Sequence, residues 1–314
     1  MRDKKLKVDV LSRIIEQTEK DLEERKQQVP LSVILNSFHD LSRTEIPKQS
    51  MKQVQDMVRN DNERVQNGGL FERAIKHPKS GKLAIIAEVK FASPSESHLG
   101  NKQDIQKRAK AYEEAGADCI SVVTEKHFFK GDPSFISQIK SAVSLPVLQK
   151  DFILDLYQLY EAKRAGSDAI LLIAKILSKK NLASFVQAAN TIGLETVVET
   201  NSKDDLEKAI ATETRIIAVN ARDLDTFTVD VDRACELIKM IPDTFIKLGF
   251  SGVQGREEAE KYSKAGADGV LIGTSLMKTD SIKEFIPNLF RNLLWRIDPE
   301  TNRTHSVLSN VILT

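Results

Sequence analysis

The chain is poor in cysteine. Cys119 and Cys235 are the only two in 314 residues, and neither stands at metal-ligand spacing. They read as core thiols of a protein kept in a reducing compartment. Charge of one sign is not in excess either. The 46 Lys and Arg are offset by 45 Asp and Glu, a formal net charge of +1. No global field therefore favours nucleic acid or an acidic partner. No apolar run reaches the roughly 20 residues that span a membrane. A glycine-rich dinucleotide fingerprint is missing, and so is a metal-binding cluster. His39, His77, His98 and His305 have no ligand spacing, and His127 reads as a loop residue. These absences predict a protein with no cofactor, no metal, no nucleic acid and no membrane. The first residues, Met1-Arg2-Asp3-Lys4-Lys5, lead into an amphipathic pattern and not an apolar signal core. The cytoplasm is the expected location.

What is present is an ordinary globular composition, 41% hydrophobic and 29% charged. Val8, Leu11, Ile15 and Leu22 recur at helical steps and predict a helix over 8–28, ended by Pro30. Residues 31–38 allow a short second helix. Residues 40–70 are polar, end in Asn67-Gly68-Gly69, and read as a partly helical, mobile connection.

From residue 83 the texture changes. Short apolar runs occupy 83–89, 119–123, 147–148 (running into Gln149-Lys150), 169–174, 196–198, 216–219, 245–250 and 269–272, with helical patterns between them. Such alternation predicts parallel βαβ units. An internal echo sharpens this. Ala115-Gly116-Ala117-Asp118, Ala165-Gly166-Ser167-Asp168 and Ala265-Gly266-Ala267-Asp268 each stand between a helix and a strand, 50 and 100 residues apart. The glycine suits the left-handed position after a helix. Near 216 a strand begins without that glycine. A unit of two βα pairs used four times predicts an α/β fold, a single (β/α)8 TIM barrel with an extra N-terminal helical segment. An open doubly wound sheet is the alternative. The expected division is an N-terminal extension over 1–70, the barrel over 71–290 and a tail over 291–314. In the tail, Leu293, Leu294 and Trp295 suit packing on the barrel or on another subunit.

In such barrels the chemistry sits where the strands end. Those ends carry, in order, Glu88 and Lys90, Thr124 and Glu125, Lys150 and Asp151, Lys175, Glu199, Asn220 with Arg222, Ser251 with Gly252, and Gly273 with Thr274. Taken singly, Glu125 and Lys175 read as solvated charges. As a set the ends predict one polar ring. Two carboxylates and two lysines in one mouth can divide the roles of acid and base. Ser251-Gly252 and Gly273-Thr274 offer backbone N–H groups with little bulk, on the strands where such barrels commonly hold a phosphate.

The chain resembles the indole-3-glycerol-phosphate synthase family. The resemblance lies in Ile86-Ala87-Glu88-Val89-Lys90 with Ser93-Pro94-Ser95, in Ile120-Ser121-Val122-Val123-Thr124-Glu125, and in Leu148-Gln149-Lys150-Asp151-Phe152-Ile153. It continues through Leu171-Leu172-Ile173, Val198-Glu199, Asn220-Ala221-Arg222-Asp223-Leu224 and Leu271-Ile272-Gly273-Thr274-Ser275-Leu276-Met277. It implies ring closure of 1-(2-carboxyphenylamino)-1-deoxyribulose 5-phosphate with loss of carbon dioxide and water. It implies Lys150 as general acid at the ketone, Lys90 beside the carboxylate, Glu199 as proton-transfer partner and Glu88 as the group that polarises the lysines. Asn220 and Arg222 would hold the substrate. Ser93, Gly252, Gly273 and Thr274 would hold its phosphate, with Ser251 among the substrate-binding residues. The implied partner is a phosphorylated small molecule, with room for a homo-oligomer or a pathway-enzyme partner.

Three positions depart from the family. Phe250 stands where the family has Glu, Phe91 where a basic residue is common, and Glu96 where Lys is common. Losing one placed electrostatic contact costs on the order of 10²–10³ in rate. Phe250 thus opens two alternatives: a barrel acting on a related phosphorylated substrate, or a non-catalytic barrel that binds a phosphorylated ligand.

Overall fold

The computed structural model describes residues 2–34, 68–94, 96–99 and 105–290. Most of the expected connection over 40–70, the second half of the 31–38 helix and the whole 291–314 tail lie outside these residues. Helix α1 (Arg2–Gln28) starts earlier than its apolar stripe, because its first residues are good helix formers that carry no periodic signal. A helical turn follows at 31–34. Helix α2 (Leu70–Lys76) precedes the first strand.

Eight parallel strands follow: β1 (Ala84–Val89), β2 (Cys119–Val123), β3 (Val147–Lys150), β4 (Ala169–Ile173), β5 (Glu195–Thr200), β6 (Ile216–Asn220), β7 (Ile246–Phe250) and β8 (Gly269–Ile272). Between and after them lie α3 (Ile105–Glu114), α4 (Ser134–Lys140), α5 (Leu156–Ala165), α6 (Lys179–Thr191), α7 (Lys203–Ile210), α8 (Val231–Lys239), α9 (Arg256–Ala265), α10 (Thr274–Lys278) and α11 (Ile282–Asn288). Strand β8 pairs with β1, with Ala84 opposite Gly269, so the sheet closes on itself. The fold is a (β/α)8 barrel and not an open sheet.

The internal echo has a physical role. Gly116, Gly166 and Gly266 hold φ of +95°, +91° and +99°, the left-handed turn that ends each helix. The aspartate two residues later reaches the start of the preceding strand. Asp118 accepts from Ile85 N–H at 2.8 Å, Asp168 from Val147 N–H at 2.7 Å and Asp268 from Lys247 N–H at 2.8 Å. In the fourth unit Arg215 takes the aspartate's place, and the neighbouring Thr214 hydroxyl bonds the Thr196 carbonyl at 3.0 Å.

Strand side chains alternate between two cores. Ile85, Ala87 and Val89 face the helices, where Phe91 joins them. The Phe91 ring meets Phe135 edge-on at 5.5 Å, so this departure serves the outer core and leaves the mouth untouched. The other face fills the barrel in layers. Ile86, Leu148, Val197 and Leu248 of the odd strands lie in its interior. Two residues further along the same strands come Glu88, Lys150, Glu199 and Phe250. Below, Phe71 and Ile75 of α2 close the floor. Above, Leu11 and Ile14 of α1 reach the same interior core, with Ile15 half-buried at its margin. Salt bridges tie α1 down: Arg25 to Glu161 at 3.1 Å and Lys26 to Asp155 at 2.9 Å, both on or beside α5.

Candidate active site

The barrel opens at its C-terminal end into a cavity of about 700 Å³. The odd strands send Glu88, Lys150, Glu199 and Phe250 into it, and the even strands contribute Val123, Ile173, Asn220 and Leu271. Its top layer on the odd strands is therefore three ionisable groups and one aromatic ring above the apolar layer of Ile86, Leu148, Val197 and Leu248.

Glu88 is 2% exposed and stands between two cations. One oxygen lies 2.8 Å from Lys90 Nζ and the other 3.8 Å from Lys150 Nζ. Burial alone would raise its pKa. The Lys90 and Lys150 ammoniums, with Arg222 beyond them, outweigh burial and hold the carboxyl below its ordinary value. Glu88 is thus a fixed negative charge that pairs with both lysines.

Glu199 behaves in the opposite way. It is also 2% exposed, and burial pushes its pKa up despite Lys150 and a hydrogen bond from the Asn220 side chain. Its Oε2 has no hydrogen-bond partner among the described residues. A buried carboxyl with one unbonded oxygen and a raised pKa is poised to exchange a proton with whatever enters. Asn220 also accepts from Arg222 N–H at 3.0 Å, and Arg222 Nη1 donates to Phe227 carbonyl at 3.1 Å.

The end of the cavity formed beyond β7, β8 and β1 is lined by small groups: Ser93, Ser251, Gly252, Gly273, Thr274 and Ser275. Gly273 is there for space. A Cβ on it would lie 2.1 Å from Glu88 Oε1 and 3.0 Å from Lys90 Nζ, so only glycine lets the ion pair approach. Ser251 holds a left-handed φ of +68°, an uncommon conformation that costs about 1–3 kcal/mol. Tyr262 hydroxyl donates to its carbonyl at 3.0 Å and helps to hold it. Glu96 does face this end, but Lys278 Nζ lies 2.7 Å from it. The pair offsets the negative charge that Glu96 brings to this end.

Every residue given a site role from the sequence lines this one cavity. Three of the other strand-end groups do not. Glu125 is buried, and its carboxylate accepts the N–H groups of His127, Phe128 and Phe129 at 2.7–2.8 Å. It builds the β2–α4 loop and is not the solvated charge expected. Thr124 donates to Asp151 at 2.5 Å, an internal brace. Lys175 pairs with Asp225 at 2.6 Å outside the cavity. His127 bonds Asp21 of α1 at 2.7 Å and helps dock that helix. Sequence reasoning missed the apolar roof and wall: Leu11, Ile14, Phe129, Phe152 and Phe285. The helical spacing of α1 was visible, but what its stripe faces is a long-range matter.

Comparison with known proteins agrees with this geometry. The family model described as indole-3-glycerol phosphate synthase matches residues 11–289. The chain is 46% identical over 208 residues to the indole-3-glycerol phosphate synthase of Caldanaerobacter subterraneus subsp. tengcongensis, covering 66% of this chain and 81% of that one. It is 35% identical over 280 residues to that of Lachnoclostridium phytofermentans, covering 89% and 98%. Among solved structures it is similar to tryptophan synthase subunit alpha from Legionella pneumophila, with a TM-score of 0.52 and 13% identity over 71% of this chain and 97% of that one. At that identity the likeness shows the fold alone.

Proposed function

The chain belongs to the indole-3-glycerol phosphate synthase family, and from that premise we propose which of its groups carry each step. The activity is that of a decarboxylating carbon–carbon lyase of tryptophan biosynthesis, acting on a phosphorylated small molecule. The substrate is a carboxyphenylamino-deoxyribulose phosphate. Its aryl ring carbon attacks the ketone carbon, the carboxylate leaves as carbon dioxide, and the new hydroxyl leaves as water.

Lys150 gives its proton to the ketone oxygen as the carbon–carbon bond forms. Lys90 pairs with the aryl carboxylate until carbon dioxide departs, then supplies the proton that carries the hydroxyl off as water. Glu199 takes the proton released as the indole double bond forms. Glu88 holds both lysines at their stations. Asn220 and Arg222 hold the substrate, and the small-residue end built from Ser93, Ser251, Gly252, Gly273 and Thr274 takes the phosphate. The aryl ring rests against Phe250, Leu11 and Ile14, so Phe250 exchanges the family's acceptor for apolar contact. Cys119 and Cys235 are both free and buried, which supports a reducing, cytoplasmic setting.

The observation that carries this reading is the charge order across the mouth: Lys90, Glu88 and Lys150 in contact, and Glu199 with an oxygen left unbonded. General acid–base catalysis by placed groups supplies about 10²–10⁴ in rate. The expected outcome is that Lys150→Met abolishes indole fluorescence growth on adding substrate, while calorimetry still detects substrate binding. Turnover at the native rate in that variant would remove Lys150 from the mechanism.

A further inference from the structure

Two residues outside the cavity converge on the point where β6 leaves the sheet. Asn220 opposite Phe250 is the last ladder pair of β6 with β7. Beyond it the Ala221 carbonyl accepts from Asp230 N–H at 3.0 Å, and the carbonyls of Asn220 and Arg222 need donors from elsewhere. Asn201, one residue past β5 and buried, supplies two. Its Nδ2 donates to Asn220 carbonyl at 2.7 Å and to Arg222 carbonyl at 3.1 Å, using both protons of the amide. Arg233, in the first turn of α8, adds further contacts. Its Nη1 donates to the Asn201 carbonyl, and its Nη2 reaches the Asn220 and Ala221 carbonyls at 3.4 and 3.5 Å.

We propose that Asn201 and Arg233 form a carbonyl clamp that positions Asn220 and Arg222 for the reaction, and through Asn220 sets the hydrogen bond to Glu199. They are positioning residues and touch no substrate. The inference rests on the roles proposed above for Glu199, Asn220 and Arg222. The chain of contact is short. The clamp fixes the backbone of Asn220, whose side chain is then held by Arg222 N–H on one side and bonds Glu199 on the other. Glu199 also faces Lys150 of β3, Glu88 of β1 and Asp205 of α7. Loosening Asn220 removes a bond that favours the ionised carboxylate, so the Glu199 proton is held more tightly.

The decisive variant is Asn201→Asp, which keeps the shape and replaces two donors by acceptors. Turnover is expected to fall about 10²-fold in kcat, the scale of a misplacement near 1 Å, with KM changed severalfold at most. The acid limb of its kcat–pH profile moves to higher pH. Arg233→Lys, which keeps a donor, recovers most of what Arg233→Ala loses. Asn201→Asp that folds and turns over at the native rate with an unmoved acid limb overturns the clamp. So does an Arg233→Ala whose loss is wholly accounted for by unfolded protein in a melting curve. Glu199→Gln run alongside keeps the two claims apart. If the acid limb survives in Glu199→Gln, the Glu199 role falls, and the clamp is then judged by kcat of Asn201→Asp alone.

Discussion

Strand β5 carries two glutamates on the same inward face, Glu195 at the floor of the barrel and Glu199 at its mouth. Four residues at about 3.3 Å each put them roughly 13 Å apart. Both are buried, and burial raises the pKa of both, Glu195 to about 7. Yet they do different work. Glu195 accepts Phe71 N–H at 2.7 Å and Glu72 N–H at 2.8 Å, the open donors at the start of α2. Gly69 is packed so closely that a Cβ there would lie 2.1 Å from Glu195 Oε1. Glu199 meets no helix start. The helix above it, α1, presents Leu11 and Ile14, which have nothing to donate. One acid is a structural cap, and the other keeps an oxygen unbonded beside the cavity. The three echo aspartates side with the floor, since each is bonded by strand N–H groups. Burial of a carboxylate does not by itself mark a site.

Substitutions can break this contrast. The largest effect is expected at the mouth. Glu199→Gln should lower kcat by about 10³-fold, within the range of general acid–base catalysis, while the melting temperature holds or rises. A steady-state assay beside a melting curve checks it, and native kcat would place proton transfer elsewhere.

Phe250→Glu comes next and makes the mouth resemble the family. A third carboxylate in this layer, beside Glu88 and Glu199, repels Glu199. It is expected to cost about 3 kcal/mol in stability and to move the acid limb of the kcat–pH profile upward. An unmoved limb would mean that the two positions do not share a field.

At the floor the effect is on stability alone. Glu195 has a folded pKa near 7 against an ordinary 4.5, so the folded state holds its proton more tightly than the unfolded one. Its contribution is therefore fully present below about pH 4.5 and is lost as pH rises through about 7. Against Glu195→Gln, which does not titrate, the native chain should lose up to about 3 kcal/mol across that window. Calorimetric melts at several pH values read this directly, and kcat per folded molecule should not change. A flat difference would show that the two N–H donors of α2 outweigh burial.

The smallest effect is expected at Lys175. Its half-exposed pair with Asp225 is worth about 0.5 kcal/mol at most, and Lys175→Met should leave kcat within about twofold. A tenfold loss would return it to the ring that the sequence first assigned.

Much of the architecture was legible locally. Alternating apolar runs gave the strands, and the Gly-x-Asp echo gave the count of units, because helix ends and strand starts are short-range events. The polar strand ends named the residues of the mouth. Glu125, Thr124 and Lys175 were misplaced because their partners, loop N–H groups, Asp151 and Asp225, depend on how loops fold back. Phe91 and Glu96 looked like departures at the site, and became ordinary once Phe135 and Lys278 were found against them.

The sequence by itself determined the parallel α/β order, the repeat, and which side chains crowd the ends of the strands. It put Glu199 at the end of β5 but did not single out Glu195 at its start. Only the tertiary structure decided which of those acids is capped and which is left open. The reason is physical. A buried carboxylate is satisfied by whichever donors arrive beside it, and the donors for Glu195 come from residues 124 and 123 positions away. No local pattern records that arrival, nor the Asn201 amide and Arg233 guanidinium that meet where β6 ends.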